Sequence, residues 1–129
     1  MFTEEQIRQA HSKVKSGADF PSYIQELKGL GVTYYETFLT DGHSVYNGKN
    51  HFELITQPRF EAVSIPDKTN KEQLLADLTN HQQGKSNYEE IVKQCTHNGV
   101  KKWAICMDAM TCSYFDKTGD KMLVEKIPA

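Results

Sequence analysis

Gly31-Val32-Thr33-Tyr34-Tyr35-Glu36-Thr37-Phe38 and its later echo, Gly99-Val100-Lys101-Lys102-Trp103-Ala104-Ile105-Cys106, decide the fold. Each opens on a glycine that ends a predicted helix, because glycine reaches the left-handed conformation without steric cost. Each then becomes a β-branched and aromatic run of strand composition. In an extended chain alternate residues share a face. Tyr34, Glu36 and Phe38 therefore point one way, and Tyr35, Thr37 and Leu39 the other.

Upstream of the first stretch, Thr3-x-x-Gln6 has the form of a capping box, predicting a helix over 4–16 closed by Gly17. Asp19 reads as the cap of a second helix, with Pro21 in its first turn and Phe20, Tyr23, Ile24, Leu27 and Leu30 on its apolar face. Downstream, Asp41-Gly42 is a hairpin signal. His43 to Tyr46 should return antiparallel, Asn47-Gly48 should turn again, and His51 to Thr56 should form a third strand. Phe60 to Ile65 reads as a fourth.

The second stretch has the same surroundings. A helix begins near Thr69 or Asn70, with Leu74, Leu75 and Leu78 inward, and ends at Gly84. Asn87 caps another that carries Tyr88, Ile91, Val92 and Cys95 on one face. Strands follow over 100–108, 111–116 and 121–127. Laid over 70–103 with one inserted residue, the segment 3–35 aligns caps with caps and glycines with glycines. Glu5/Glu72, Gln6/Gln73, Gly17/Gly84, Gly31/Gly99 and Val32/Val100 are identical, where chance gives about two matches over roughly thirty positions. The expectation is a single α+β domain spanning 1–129. It consists of two related helix-helix-β-meander halves, 3–66 and 70–129, with a largely antiparallel sheet.

The chain of 129 residues is long enough for one core without metal or disulfide support. Fifteen basic and 17 acidic residues give a net charge of −2, which offers no electrostatic case for nucleic acid or an anionic membrane. The start, Met1-Phe2-Thr3-Glu4-Glu5, lacks the basic and apolar regions of a signal peptide, and no apolar run is long enough to span a bilayer. Three cysteines without Cys-x-x-Cys spacing suit a reducing, cytoplasmic setting.

The densest polar-aromatic cluster is Tyr34, Tyr35, Glu36, His43, Tyr46 and His51. Glu36 with His43 is the candidate acid–base pair of a cofactor-independent enzyme. Tyr34, Tyr35, Tyr46 and His51 are the candidate ligand-binding residues of a binding module. The plainer alternative makes the tyrosines half-buried sheet residues and His43 a turn residue. His11 and His81 read as helical packing residues, and no histidine spacing marks a metal site, so neither metal nor cofactor is expected. Cys106 and Cys112 flank a turn, where two unpaired thiols are favoured over a redox pair. Trp103, Tyr114, Phe115 and the methionines 107, 110 and 122 suit a core or, if exposed, a protein partner or homodimer.

The run from Gly17-Ala18-Asp19-Phe20-Pro21-Ser22-Tyr23 through Glu36 and Asp41-Gly42-His43 resembles the YbcV-like bacterial and prophage family. So do His81-Gln82-Gln83-Gly84-Lys85, Met107-Asp108-x-Met110-Thr111-Cys112 and Tyr114-Phe115-Asp116. That family is a domain of unknown function sometimes labelled phage envelope protein, and the resemblance runs from Phe2 to Pro128. It implies a bacterial cytoplasmic domain and carries no assigned activity or site residue. The leading expectation is a small binding protein for a small molecule or protein partner, with an acid–base enzyme as the alternative.

Overall fold

Four helices lie on one face of a six-stranded sheet in the computed structural model, which describes residues 2–128. The helices are α1 (Glu4–His11), α2 (Phe20–Leu30), α3 (Lys71–Gln82) and α4 (Tyr88–His97). The strands are β1 (Tyr34–Phe38), β2 (Ser44–Asn47), β3 (Glu53–Ile55), β4 (Val100–Cys106), β5 (Thr111–Asp116) and β6 (Lys121–Lys126). Their order across the sheet is β3-β2-β1-β4-β5-β6, and every neighbouring pair is antiparallel. The protein is a single α+β domain.

Local chemistry sets most of the boundaries. Thr3 and Gln6 form the capping box of α1, and Asn87 with Glu90 forms that of α4. Asn70 caps α3 by accepting from the Gln73 amide. Gly31 closes α2 at φ 104°, a conformation that would strain a residue with a Cβ. The edge strands β3 and β6 discourage further pairing through shortness in β3 and terminal lysines in β6.

Several expectations are corrected. Helix α1 stops at His11, and Gly17 lies in a short 3-10 turn, Gly17–Asp19. Its role is close approach: a Cβ there would stand 2.6 Å from the His81 ring and 2.7 Å from the His81 carbonyl oxygen. Asp19 caps no helix with its side chain, because its carboxylate accepts from the Lys15 amide instead. Strand β3 is shorter than expected, because the chain first makes a turn over Lys49–His51 with His51 at φ 62°. Leu75 points outward at 48% exposed, while Leu74 and Leu78 are buried with the polar Asp77. Asp77 is tolerated there because it accepts from Gln73 and from the buried amide of Asn98.

The expected strand over Phe60–Ile65 does not form. Residues 56–70 run as an irregular strap, bonded to β2 only at its start, where the Thr56 amide donates to the Ser44 carbonyl. The Arg59 and Phe60 amides donate to the Asp41 carbonyl, and Val63 donates to that of Thr40. These bonds tie the strap to the β1–β2 turn, so its amides do not extend a ladder. Phe60 also packs on Gly42, where a Cβ would sit 2.7 Å from its ring.

Cross-strand rows divide the two sheet faces. Leu54, Tyr46, Tyr35, Ile105, Cys112 and Glu125 form one row beneath the helices. Ser44, Thr37, Trp103 and Tyr114 form the next. The core is built on this face, where Ile24, Leu27, Leu39, Leu74, Val100 and Ile105 are fully buried. Among the described residues, the opposite face carries no helix.

Candidate functional site

The helices do not fill the covered face completely. A cavity of about 120 Å³ remains between the sheet and the two helical hairpins. Tyr35 and Thr37 of β1, Tyr46 of β2, Trp103 of β4 and Tyr114 of β5 line it from the sheet. Tyr23 of α2 and Tyr88 of α4 line it from the helices, and His11 and His81 stand beside them. It meets a wider groove of about 1210 Å³ bounded by α1, α4 and the strap. His11, Ser44, Tyr46, Arg59 and Tyr88 belong to both spaces and so form the throat.

The walls are ordered by aromatic contact. Tyr35 stacks on Tyr46 with centroids 4.8 Å apart. His11 stands edge-on to Tyr88 at 4.6 Å and to Tyr23 at 5.4 Å. Trp103 meets Tyr88 and Tyr114 edge-on at 6.2 and 6.4 Å. Such pairs hold their geometry beyond simple area burial.

Polar groups on these walls fall into two sets. The Tyr23 and Tyr46 hydroxyls bond each other at 3.3 Å, and Thr37 bonds Ser44 at 2.7 Å. Tyr114 donates to Glu125, which also accepts from Gln82. His81 Nδ1 lies 2.9 Å from the Ser86 hydroxyl. By contrast, the Tyr35 hydroxyl, the Tyr88 hydroxyl and the Trp103 indole N–H have no hydrogen-bond partner among the described residues, and none of the three atoms is sealed off; the sealed, unpartnered side-chain atom is Gln94 Oε1. Tyr35 is only 3% exposed and Trp103 only 9%. Their donors open onto the cavity, where a guest or a water can reach them.

The electrostatics follow from burial. Burial lowers the His11 pKa to about 4, helped by the Arg59 charge, so the imidazole is neutral at pH 7. Burial lowers His81 too, against a bond from the Ser86 backbone that works the other way. Burial pushes Tyr88 up to about 12, and raises Tyr35 and Tyr23 well above the usual phenol range with help from neighbouring tyrosines. These phenols are neutral at pH 7, so each keeps a proton that it can donate. Arg59 is the charged group at the throat, its Cζ 5.3 Å from the centre of the Tyr88 ring.

The sequence cluster is divided by the sheet. Tyr35 and Tyr46 enter the cavity. Tyr34 and Glu36 lie on the helix-free face, where Glu36 pairs with Lys102 at 2.5 Å. Burial, then the Glu36 charge, raises the Tyr34 pKa. His43 bonds Asp41 through Nδ1 and stacks on Phe38 at 4.7 Å. His51 is exposed on the turn before β3 and does not line the cavity. Cys106 and Cys112 lie opposite Thr111 and Ile105, hence on opposite faces, so the pleat keeps the two thiols apart. Burial pushes the Cys112 thiol up to about 12, which makes it a poor nucleophile.

Tyr88, Trp103, Tyr23 and Arg59 were not legible as site residues. The aromatics sit at ordinary core spacing, and Arg59 lies in a segment with no periodicity. The one available signal was a surplus of tyrosine over what packing alone demands, with every buried hydroxyl needing a partner.

A family model described as "Protein of unknown function (DUF1398)" matches residues 8–126. No curated protein matches the chain. Among the described residues, no helix is long and apolar enough to cross a membrane.

Proposed function

The chain belongs to the DUF1398 family of proteins of unknown function, and from that premise we propose that it is a small-molecule-binding protein whose ligand enters the aromatic cavity. One observation carries this reading. The Tyr35 hydroxyl and the Trp103 indole N–H belong to residues more than nine-tenths buried, both line an open cavity, and neither has a hydrogen-bond partner among the described residues. Packing alone would favour Phe at position 35, whereas a ligand acceptor would satisfy the hydroxyl. Pockets of this kind, apolar with a few convergent polar atoms, are the usual form of a ligand site.

Trp103 is the only tryptophan, so its emission reports on the cavity wall. A panel of small aromatic and heteroaromatic metabolites should contain compounds that both shift Trp103 emission and raise the melting temperature. Tyr35→Phe should weaken the same compounds. A panel that moves neither signal rejects the reading.

The cavity's central position fits a duplicated plan, which we also propose. With Tyr35 aligned on Trp103, Glu36 corresponds to Ala104, and these two residues face each other where β1 pairs with β4. A pseudo-twofold axis through that pair would relate β3-β2-β1 to β6-β5-β4 and one helical hairpin to the other.

A further inference from the structure

We propose that the ligand is a small planar aromatic acid, its single ring inside the cavity and its carboxylate at Arg59. This rests on the cavity being a binding site. Size limits the buried part: 120 Å³ is somewhat below the roughly 150 Å³ of a dry cavity that accepts benzene. Stacked and edge-on aromatic walls favour a flat guest over a globular aliphatic one.

The polar atoms set the sign of the guest. An indole N–H can only donate, and the neutral Tyr35 and Tyr88 hydroxyls have protons to give. The indole N–H requires an acceptor, and the two hydroxyls can each give a proton to one. At the throat, Arg59 is the only fixed charge among the five shared residues, and it has no carboxylate partner among the described residues. Its guanidinium can clamp a carboxylate through two parallel N–H bonds. The strap holds it there through the Arg59 amide bond to the Asp41 carbonyl, 2.8 Å long. Glu125 is already occupied by Tyr114 and Gln82.

Charge elsewhere does not compete with Arg59. Glu4, Glu61 and Glu89 line the groove together with Arg8 and Lys93, which offset them, and Lys126 is a second cation on the cavity lining. One short acidic arm is enough to reach Arg59 from a ring inside the cavity. An aromatic cage can also hold an organic cation. Here the cage already has a guanidinium over the Tyr88 ring, and a second cation would meet like charge.

Benzoate, benzamide and benzyltrimethylammonium, titrated into the full chain with calorimetry and Trp103 emission, test the class. Benzoate should bind, and benzamide should bind at least about tenfold more weakly. Arg59→Gln should reduce benzoate to the benzamide level and leave benzamide unchanged. Only a small change in the urea midpoint is expected for that variant, because Arg59 is exposed and its guanidinium rests against one ring, that of Tyr88. Equal binding of benzoate and benzamide, preference for the ammonium, or indifference to Arg59→Gln overturns the acid class and leaves the cavity reading standing. Failure of all three probes overturns the acid class, and the cavity reading falls as well only if the wider panel is also silent.

Discussion

The two faces of β1 use the same residue types for different ends. On the helix-free face, Glu36 has Lys102, His43 has Asp41, and Lys102 also lies 5.6 Å from the Phe38 ring centre and 5.1 Å from that of Phe115. Every ionisable group named there has a protein partner. On the covered face, Tyr35 sits one residue away in a buried setting, its hydroxyl facing the cavity without a partner among the described residues. The difference teaches where to look for a ligand. A site is marked less by reactive residue types than by polar groups whose pairing the fold leaves incomplete.

That contrast can be broken at several strengths. The largest effect belongs to packing. Ile105, fully buried beneath the helices, should cost about 2–5 kcal/mol as Ile105→Ala. Ile55→Ala, at a residue 57% exposed on the other face, should stay within about 0.5 kcal/mol. Urea denaturation of the two variants measures both. Equal losses would mean that the second face is covered in solution.

Acid should act on the covered face first. His11 is neutral in the fold down to about pH 4, while in the unfolded chain it takes a proton near its ordinary value of 6.5. The unfolded state therefore binds more protons across this window, and stability falls as pH drops from about 6.5 to 4. His81 acts in the same direction. His11→Leu should flatten part of that fall in a series of denaturation curves, and a curve of unchanged slope would place His11 in a wetter setting.

Two tyrosines one contact apart sharpen the contrast within the cavity. Tyr46→Phe removes the 3.3 Å bond to Tyr23 and should cost about 1 kcal/mol. Tyr35→Phe removes no bond and should change stability by less than about 0.5 kcal/mol while weakening ligands. If Tyr35→Phe proved the more destabilising of the two, its hydroxyl would have a partner in solution. On the open face, Glu36→Gln should cost less than about 1 kcal/mol and less again in high salt. The difference between the two proteins at low and high ionic strength checks it.

Much of the fold was legible because its signals are local. The capping residues Thr3, Asn70 and Asn87, the stop at Gly31 and the alternation of Tyr34 with Tyr35 each depend on a few adjacent residues. Errors arose where a distant partner decided. Phe60–Ile65 has strand composition, yet its amides go to Thr40 and Asp41. Gly17 looked like a helix stop and is a packing contact with His81, across 64 residues of chain. The candidate site is only half legible for the same reason. The sequence places Tyr35 and Tyr46, which line the cavity, in one cluster with Tyr34, Glu36, His43 and His51, which do not.

By itself the sequence determined an α+β chain, the helix ends and which residues of each strand share a face, because capping and the two-residue pleat operate over one turn or one strand. The tertiary structure alone decided that β1 and β4 meet at the centre of one sheet, that the strap brings Arg59 to the throat, and that Tyr35 is left without a partner. Those outcomes depend on contacts between residues tens of positions apart. There, loop closure and competing packing choose among arrangements that local chemistry leaves equally open.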